Sequence, residues 1–244
     1  YIEEPSNVIE GLSKVTMMAW VKIDADFDST GAIMGQENSW VRISSGGRVR
    51  FYDSNSTFIQ APSSTNLEYN KWAHIAVVYN GTASEETSKI YINGEEVASG
   101  DTASGSIPFS SDPKFRIGRK PFDSGSELYF KGEIDNIAIW DKELTQEDID
   151  LFQSNPIEGS EEGLVGNWKF NAGAGGTLFD HSGNANHGTI NGATWISSGN
   201  KYVTVDGSDE SGNGSSENPF ASIQNAINHV IKSLASIADF IRTP

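Results

Sequence analysis

Val15-Thr16-Met17-Met18-Ala19-Trp20-Val21-Lys22-Ile23 sets the fold class. Val15, Met17, Ala19, Val21 and Ile23 share one parity, and Thr16, Met18, Trp20 and Lys22 share the other, the period-two pattern of a half-buried strand. Residues 73–79 and 134–140 repeat it, and each run is bounded by Gly, Pro, Ser, Asp or Asn. Ile90-Tyr91-Ile92 enters Asn93-Gly94 and leaves through Glu95-Glu96-Val97-Ala98. Asn-Gly tolerates the positive φ angles of a type I′ turn, so a tight hairpin is expected there.

One short helix is expected over 145–152, where the Thr145 hydroxyl caps the first turn, Glu147 and Asp148 favour its positive end, and Ile149, Leu151 and Phe152 offer an apolar side. Asn155-Pro156 and a polar loop over 158–163 follow, and strand character resumes over 164–170. Short strands, frequent turn signals and a single small helix predict an all-β fold, a two-sheet antiparallel sandwich of the jelly-roll kind.

The texture changes after Ser197. Residues 199–218 are rich in Gly, Ser, Asn and Asp around one short strand, Tyr202-Val203-Thr204-Val205. Over 222–241, Ile223, Ala226, Ile227, Val230, Ile231, Leu234, Ile237 and Ile241 fall on one helical stripe. The expected organisation is a sandwich over 1–197, then over 198–244 a linker and the strand-helix start of a second module, whose helix offers a surface for self-association.

The charge balance removes other classes. With 33 Asp and Glu against 17 Lys and Arg, the net charge is −16, and such a surface repels phosphate backbones and anionic lipid. Nucleic-acid partners and membrane insertion are therefore not expected, and no apolar run approaches the roughly 20 residues of a membrane-spanning helix. The absence of cysteine rules out disulfides, thiolate metal sites and cysteine nucleophiles. Tyr1-Ile2-Glu3-Glu4-Pro5 has neither an initiator Met nor a signal peptide and reads as the inside of a strand, so a processed or excised fragment is expected.

Five strings resemble the laminin-G-like, concanavalin A-like jelly-roll domains of bacterial extracellular proteins. They are Met18-Ala19-Trp20-Val21-Lys22; Lys71-Trp72-Ala73-His74-Ile75-Ala76-Val77-Val78-Tyr79; Ile90-Tyr91-Ile92-Asn93-Gly94-Glu95; Phe130-Lys131-Gly132-Glu133-Ile134-Asp135-Asn136-Ile137-Ala138-Ile139-Trp140; and Gly163-Leu164-Val165-Gly166-Asn167-Trp168-Lys169-Phe170 running on through Asp180-His181-Ser182-Gly183-Asn184-Ala185-Asn186-His187-Gly188-Thr189-Ile190. In many relatives the last string precedes the strand that residues 1–5 resemble. Here it comes last, so either the terminal strands are adjacent in a permuted order or a further copy once followed. Residues 202–209 and 218–227 resemble the opening of a right-handed parallel β-helix of the pectate-lyase-like superfamily. The resemblance implies a secreted or cell-surface protein.

Calcium is the expected cofactor. Asp180, Ser182, Asn184 and Asn186 alternate along a loop broken by Gly183, so their oxygens can converge on a hard cation, or they can build an Asx-type turn. Asp135 is a distant partner that the resemblance brings near this loop. Asp24, Asp26 and Asp28 form a second, lesser acidic cluster on a turn. Glu133-Ile134-Asp135 resembles the Glu-x-Asp-x-x-Glu strand of laminarinase-type glucanases, but the third acidic position is Ala138, and retaining hydrolysis needs two carboxylates facing one bond. No zinc-protease histidine spacing or Gly-x-Ser-x-Gly elbow is present, so a non-catalytic chain is expected.

Carbohydrate is the expected ligand, because sugars present apolar CH faces ringed by hydroxyls and are met by exposed aromatic rings among polar donors. Trp20, Trp72, Trp140, Trp168 and Trp195 belong to the resembling strings and are expected in or beside the core, leaving Trp40 outside them. Trp40, Arg42, Arg50 and Tyr52 lie on two strands joined by Ser44-Ser45-Gly46-Gly47, with even spacing that puts each pair on one face. Arg119, Phe122 and Tyr129 form another candidate surface. The alternative readings are an adhesive or structural cell-surface module binding protein partners, and an accessory module of a polysaccharide-degrading enzyme.

Overall fold

In the computed structural model, which describes residues 1–53, 57–102, 104–123, 125 and 127–196, the chain runs through strands β1 (Ile2–Glu4), β2 (Lys14–Ile23), β3 (Gly31–Gln36), β4 (Ser39–Ser44), β5 (Arg48–Tyr52), β6 (Phe58–Gln60), β7 (Trp72–Asn80), β8 (Ser88–Ile92), β9 (Glu95–Gly100), β10 (Phe115–Ile117) and β11 (Gly132–Trp140), then helix α1 (Gln146–Ser154), then β12 (Leu164–Trp168), β13 (Thr177–Leu178) and β14 (Gly188–Ile190). Tyr1–Thr194 form one compact unit. The strands make an eight-stranded sheet ordered β13-β14-β1-β10-β3-β4-β5-β6 and a six-stranded sheet ordered β12-β11-β2-β7-β8-β9. All pairings given for these sheets are antiparallel. The strand expected at 202–205, the helix over 222–241 and the boundary at 197/198 lie outside the described residues.

Alternation drives the sandwich. Val15, Met17, Ala19, Val21 and Ile23 are fully buried, and β7 and β11 add Ile75, Val77, Ile137 and Ile139 on the same side. The eight-stranded sheet answers with Val41, Ile43, Val49 and Phe51, also fully buried. Rings cross the interface: Phe115 stacks on Trp168 with centroids 5.6 Å apart, and Phe51 meets Tyr79 at 6.3 Å. Burial of each such aliphatic side chain stabilises the fold by about 2 kcal/mol. Trp168 also fixes a glycine, because its indole lies over Gly166, where an added Cβ would come within 2.6 Å of the ring.

The outer face of the six-stranded sheet is covered over half its length. Met18, Ala76, Val78, Tyr91, Ala138 and Trp140 form a second apolar cluster with Ile149 of α1, and Phe152 stacks on Trp140 at 5.0 Å. This is why β2 breaks strict alternation at Met18. The helix begins as expected: the Thr145 hydroxyl accepts from the Asp148 N–H at 3.2 Å, and the Asp148 carboxylate accepts from the Thr145 N–H at 3.0 Å, a reciprocal capping box. Leu151 does not join the apolar side and is 53% exposed, two residues from the buried Ile149. The hairpin at Asn93-Gly94 has φ of 52° and 85° at its two central residues, as a type I′ turn requires.

The chain ends of the unit meet. Ile2 pairs with Ile190 and Glu3 with Thr189, while the Tyr1 ammonium donates to the Asn191 carbonyl at 2.9 Å and the Asn191 N–H returns a bond to Tyr1 at 2.7 Å. The string that comes last in sequence thus closes the sheet beside the first strand.

Candidate functional site

The outer face of the eight-stranded sheet carries a row of rings. In Ser39–Ser44, Arg48–Tyr52 and Phe58–Gln60 the apolar residues Val41, Ile43, Val49, Phe51 and Ile59 turn inward, which sends Trp40, Arg42, Arg50, Tyr52, Phe58 and Gln60 outward. Register brings them level: Trp40 opposes Tyr52, Tyr52 opposes Phe58, Arg42 opposes Arg50, and Arg50 opposes Gln60. The turn Ser45-Gly46-Gly47 sets that register, since Gly46 and Gly47 hold φ of 79° and 82° and a Cβ on Gly47 would strike the Leu67 carbonyl at 2.4 Å.

The rings touch in series. Trp40 stacks on Tyr52 at 5.0 Å and 19°, Tyr52 meets Phe58 at 5.1 Å, and Phe122 stands edge-on to Trp40 at 5.8 Å. The residues expected to form two surfaces therefore meet at Phe122. Trp40 is only 6% exposed and Phe58 is 44% exposed, so Trp40 is a buttress and Phe58 is the most open ring of the row, while Tyr52 and Phe122 are half-buried. Phe58 and Gln60 escaped the sequence reading because three residues are too few to display an alternation. Room for Trp40 comes from Gly35, opposite it on β3, where a Cβ would sit 2.4 Å from the Trp40 Cβ.

Two arginines lie in this row. The Arg42 guanidinium is 4.5 Å from the Tyr52 ring centroid and 5.6 Å from that of Trp40, and Arg50 is 5.0 Å from Phe58. The Arg50 Nε–H donates to the Gln60 side-chain oxygen. The Arg42 Nε is buried with no hydrogen-bond partner among the described residues. Burial draws the Arg42 pKa below its ordinary value; the neighbouring Tyr52 counteracts this, and the Arg50 charge adds to it.

Arg119 and Tyr129 belong to an adjoining cluster. Arg119 lies 5.0 Å from the Tyr1 ring and 5.9 Å from Tyr129, and it is neutralised by Glu127 at 2.7 Å and Asp123 at 2.8 Å. Its hydrogen bond to Glu127 raises its pKa. Beneath it Arg116, 1% exposed, is held by Glu3 at 3.0 Å and by Asp112 and Asp123, each at 3.2 Å. Burial pushes the Asp123 carboxyl upward, but Arg116 and Arg119 outweigh it and hold the group below its usual range. Arg119 is therefore a structural tie between the loop that carries Phe122 and the sheet.

The loop expected to hold calcium is closed by hydrogen bonds. One Asp180 carboxylate oxygen accepts from the N–H groups of Asn167 at 2.8 Å and Ser182 at 2.9 Å, and the other accepts from the Ser182 hydroxyl at 2.8 Å and the Asn186 N–H at 3.0 Å. The Asn184 and Asn186 amides donate to the Val165 carbonyl at 3.3 and 2.8 Å. Both carboxylate oxygens thus face protein donors, an arrangement that does not fit a cation as it stands. Asp135 opposes Trp20 on the outer face of the six-stranded sheet, and burial raises its carboxyl pKa against the opposing bond from the Asn136 N–H at 2.8 Å. Among the described residues no three His, Asp or Glu side chains are grouped to hold a metal ion. Glu133 is taken by Lys22, Asp26 by Lys131, and Ala138 is buried under α1.

One tryptophan expected beside the core is not packed there: Trp72, the first residue of β7, is 41% exposed, because α1 covers only the opposite end of that face. Beyond the helix end, a concavity of about 330 Å³ is lined by Trp20, His74, Asn136, Asn167 and Lys169 together with residues 152–157.

The family model described as the concanavalin A-like lectin/glucanases superfamily matches residues 1–150. No curated protein matches the chain. Among solved structures, a candidate carbohydrate-binding protein from Bacteroides ovatus is similar with a TM-score of 0.63 at 23% identity, over 76% of this chain and 55% of that one. The chain thus spans about half the length of that relative. An SAP-like pentraxin from Limulus polyphemus aligns with a TM-score of 0.46 at 17% identity, covering 62% of this chain and 74% of that chain. Domain 4 of an arabinanase from Geobacillus stearothermophilus, solved with arabinotriose, aligns with a TM-score of 0.46 at 22% identity, covering 59% and 68% of the two chains.

Proposed function

The chain belongs to the concanavalin A-like lectin/glucanases superfamily, and from that membership we propose that the outer face of β4, β5 and β6 binds an extracellular carbohydrate without cleaving it. The observation that carries this reading is the continuous row Phe122, Trp40, Tyr52, Phe58. A pyranose ring lays its CH groups against the solvent-facing edges of such a row, and the flanking Arg and Gln side chains supply donors to its hydroxyls. Trp40 is packed against Gly35 and Tyr52 lies between Trp40 and Phe58, so little Tyr52 side-chain entropy is lost when a sugar docks there. The non-catalytic part of the proposal is supported by Ala138, which lies under α1 where the glucanase-type strand would carry its third acid.

The test is a titration of the full chain against a panel of plant, algal and host polysaccharides, alongside the Tyr52→Ala/Phe58→Ala variant. Saturable binding lost in the variant, with no release of reducing ends, is expected. Undiminished binding in the variant would place the site elsewhere, and binding to no glycan would favour an adhesive module with protein partners.

A further inference from the structure

We propose that the ligand of this face is an anionic saccharide, whose oxyanion group, a sugar carboxylate or a sulfate ester, is seated between Arg42 and Arg50. The inference rests on the carbohydrate-binding reading and narrows its substrate class. Its starting point is a charge that the protein leaves uncompensated. The chain has 33 acidic residues, and among the described residues most other cations find carboxylates: Lys14 with Glu143, Lys22 with Glu133, Lys89 with Glu96, Lys114 with Glu3. Arg116 and Arg119 have two or more each. Among the described residues neither Arg42 nor Arg50 has an ion pair, although acidic side chains outnumber basic ones almost two to one.

The two guanidinium-bearing residues are direct partners across β4 and β5. Like charges directly opposite on an antiparallel pair destabilise it, so the arrangement costs free energy in the unliganded chain. The Tyr52 side chain, which also hydrogen-bonds Arg42, and the Phe58 ring offset part of that cost but carry no negative charge. The Arg42 Nε–H is buried and unbonded among the described residues, and Gln60 fixes the Arg50 Nε. Among the described residues the site lacks an acceptor carrying negative charge, and a planar guanidinium fork matches a carboxylate or sulfate edge with two parallel hydrogen bonds. A sugar lying across Tyr52 and Phe58 brings an acidic substituent at its ring edge to these arginines, level with the next row of the sheet. A neutral glycan would fill the aromatic row and leave the like-charge pair as it is.

The experiment is calorimetric titration of the full chain with polygalacturonate, with the same polymer fully methyl-esterified, with chondroitin 6-sulfate, and with a neutral glucan. Binding to at least one acidic polymer is expected, and the two acidic arms tell a carboxylate from a sulfate. Affinity for a neutral or esterified polymer should be at least about tenfold lower, a difference of about 1.4 kcal/mol. Arg42→Gln and Arg50→Gln should each weaken acidic binding about tenfold, Arg42→Lys should retain more of it than Arg42→Gln, and added salt should weaken it in the wild type but less in the Gln variants. Because each Gln variant relieves a like-charge contact, its melting temperature should not fall, which separates lost binding from lost folding. Equal binding to neutral and acidic polymers, unaffected by both Gln variants, would overturn the anionic assignment and leave the carbohydrate reading intact. Binding to none of the polymers, nor to any glycan of a wider panel, would overturn both.

Discussion

Trp40 and Tyr52 stack across β4 and β5 with their ring planes 19° apart, one almost fully buried and the other half-buried. The pair divides support from contact. Trp40→Ala should therefore act twice, costing about 3 to 5 kcal/mol of stability as a large buried side chain and weakening glycan binding through loss of the surface that positions Tyr52. Tyr52→Ala should weaken binding with a much smaller stability loss. Paired thermal melts and titrations of the two variants check this split.

Gly35 lies opposite Trp40 at a φ of 150°, with no space for a side chain. Gly35→Ala should force Trp40 out of the row and destabilise the fold by about 2 kcal/mol or more. Denaturant unfolding would read the loss, and glycan affinity should fall with it.

His74 predicts a pH effect. It is 2% exposed, its Nδ1 has no hydrogen-bond partner among the described residues, and burial lowers its pKa to about 4. The unfolded histidine titrates near 6.5, so between pH 6.5 and 4 the unfolded state binds more protons, and stability falls as the pH is lowered through that window. The full loss is about 3 kcal/mol, reached near pH 4. Asp26, Asp123, Glu127 and Glu161 have carboxyls held below their usual values, so their contributions are lost at still lower pH. Urea melts between pH 7 and 4 should show the slope in the wild type and a flatter one in His74→Gln; equal slopes would contradict the assignment.

The six-stranded sheet was legible because β2, β7 and β11 are long enough to show period two and the Asn93-Gly94 turn dictates its own geometry. Parity does not tell which end of an outer face a helix will cover, so Trp72 read as packed although α1 stops short of it. The aromatic row was half legible. Trp40, Arg42, Arg50 and Tyr52 could be paired from spacing and a glycine turn, whereas Phe58 sits on a three-residue strand, and Phe122 reaches Trp40 only through tertiary folding of its loop. The oxygen-rich composition of 180–186 carried the calcium expectation, and composition alone does not show that the Asn184 and Asn186 amides donate to Val165.

The Asp180 loop should hold by hydrogen bonding. Asp180→Ala strands the buried Asn167 N–H and should cost about 3 kcal/mol. If calcium bound here at 100 times its Kd it would add about 2.7 kcal/mol, so melting with EDTA and with excess calcium distinguishes the two states of affairs. Coincident melts are expected, and a calcium-dependent rise abolished by Asp180→Ala would assign the loop to the ion.

A crystal structure of the chain with a bound acidic oligosaccharide would locate the site outright. The sugar should lie across Tyr52 and Phe58 with its acidic group between Arg42 and Arg50. A sugar found instead in the concavity beside Trp20 and His74, on the opposite sheet, would contradict the assignment of the binding face.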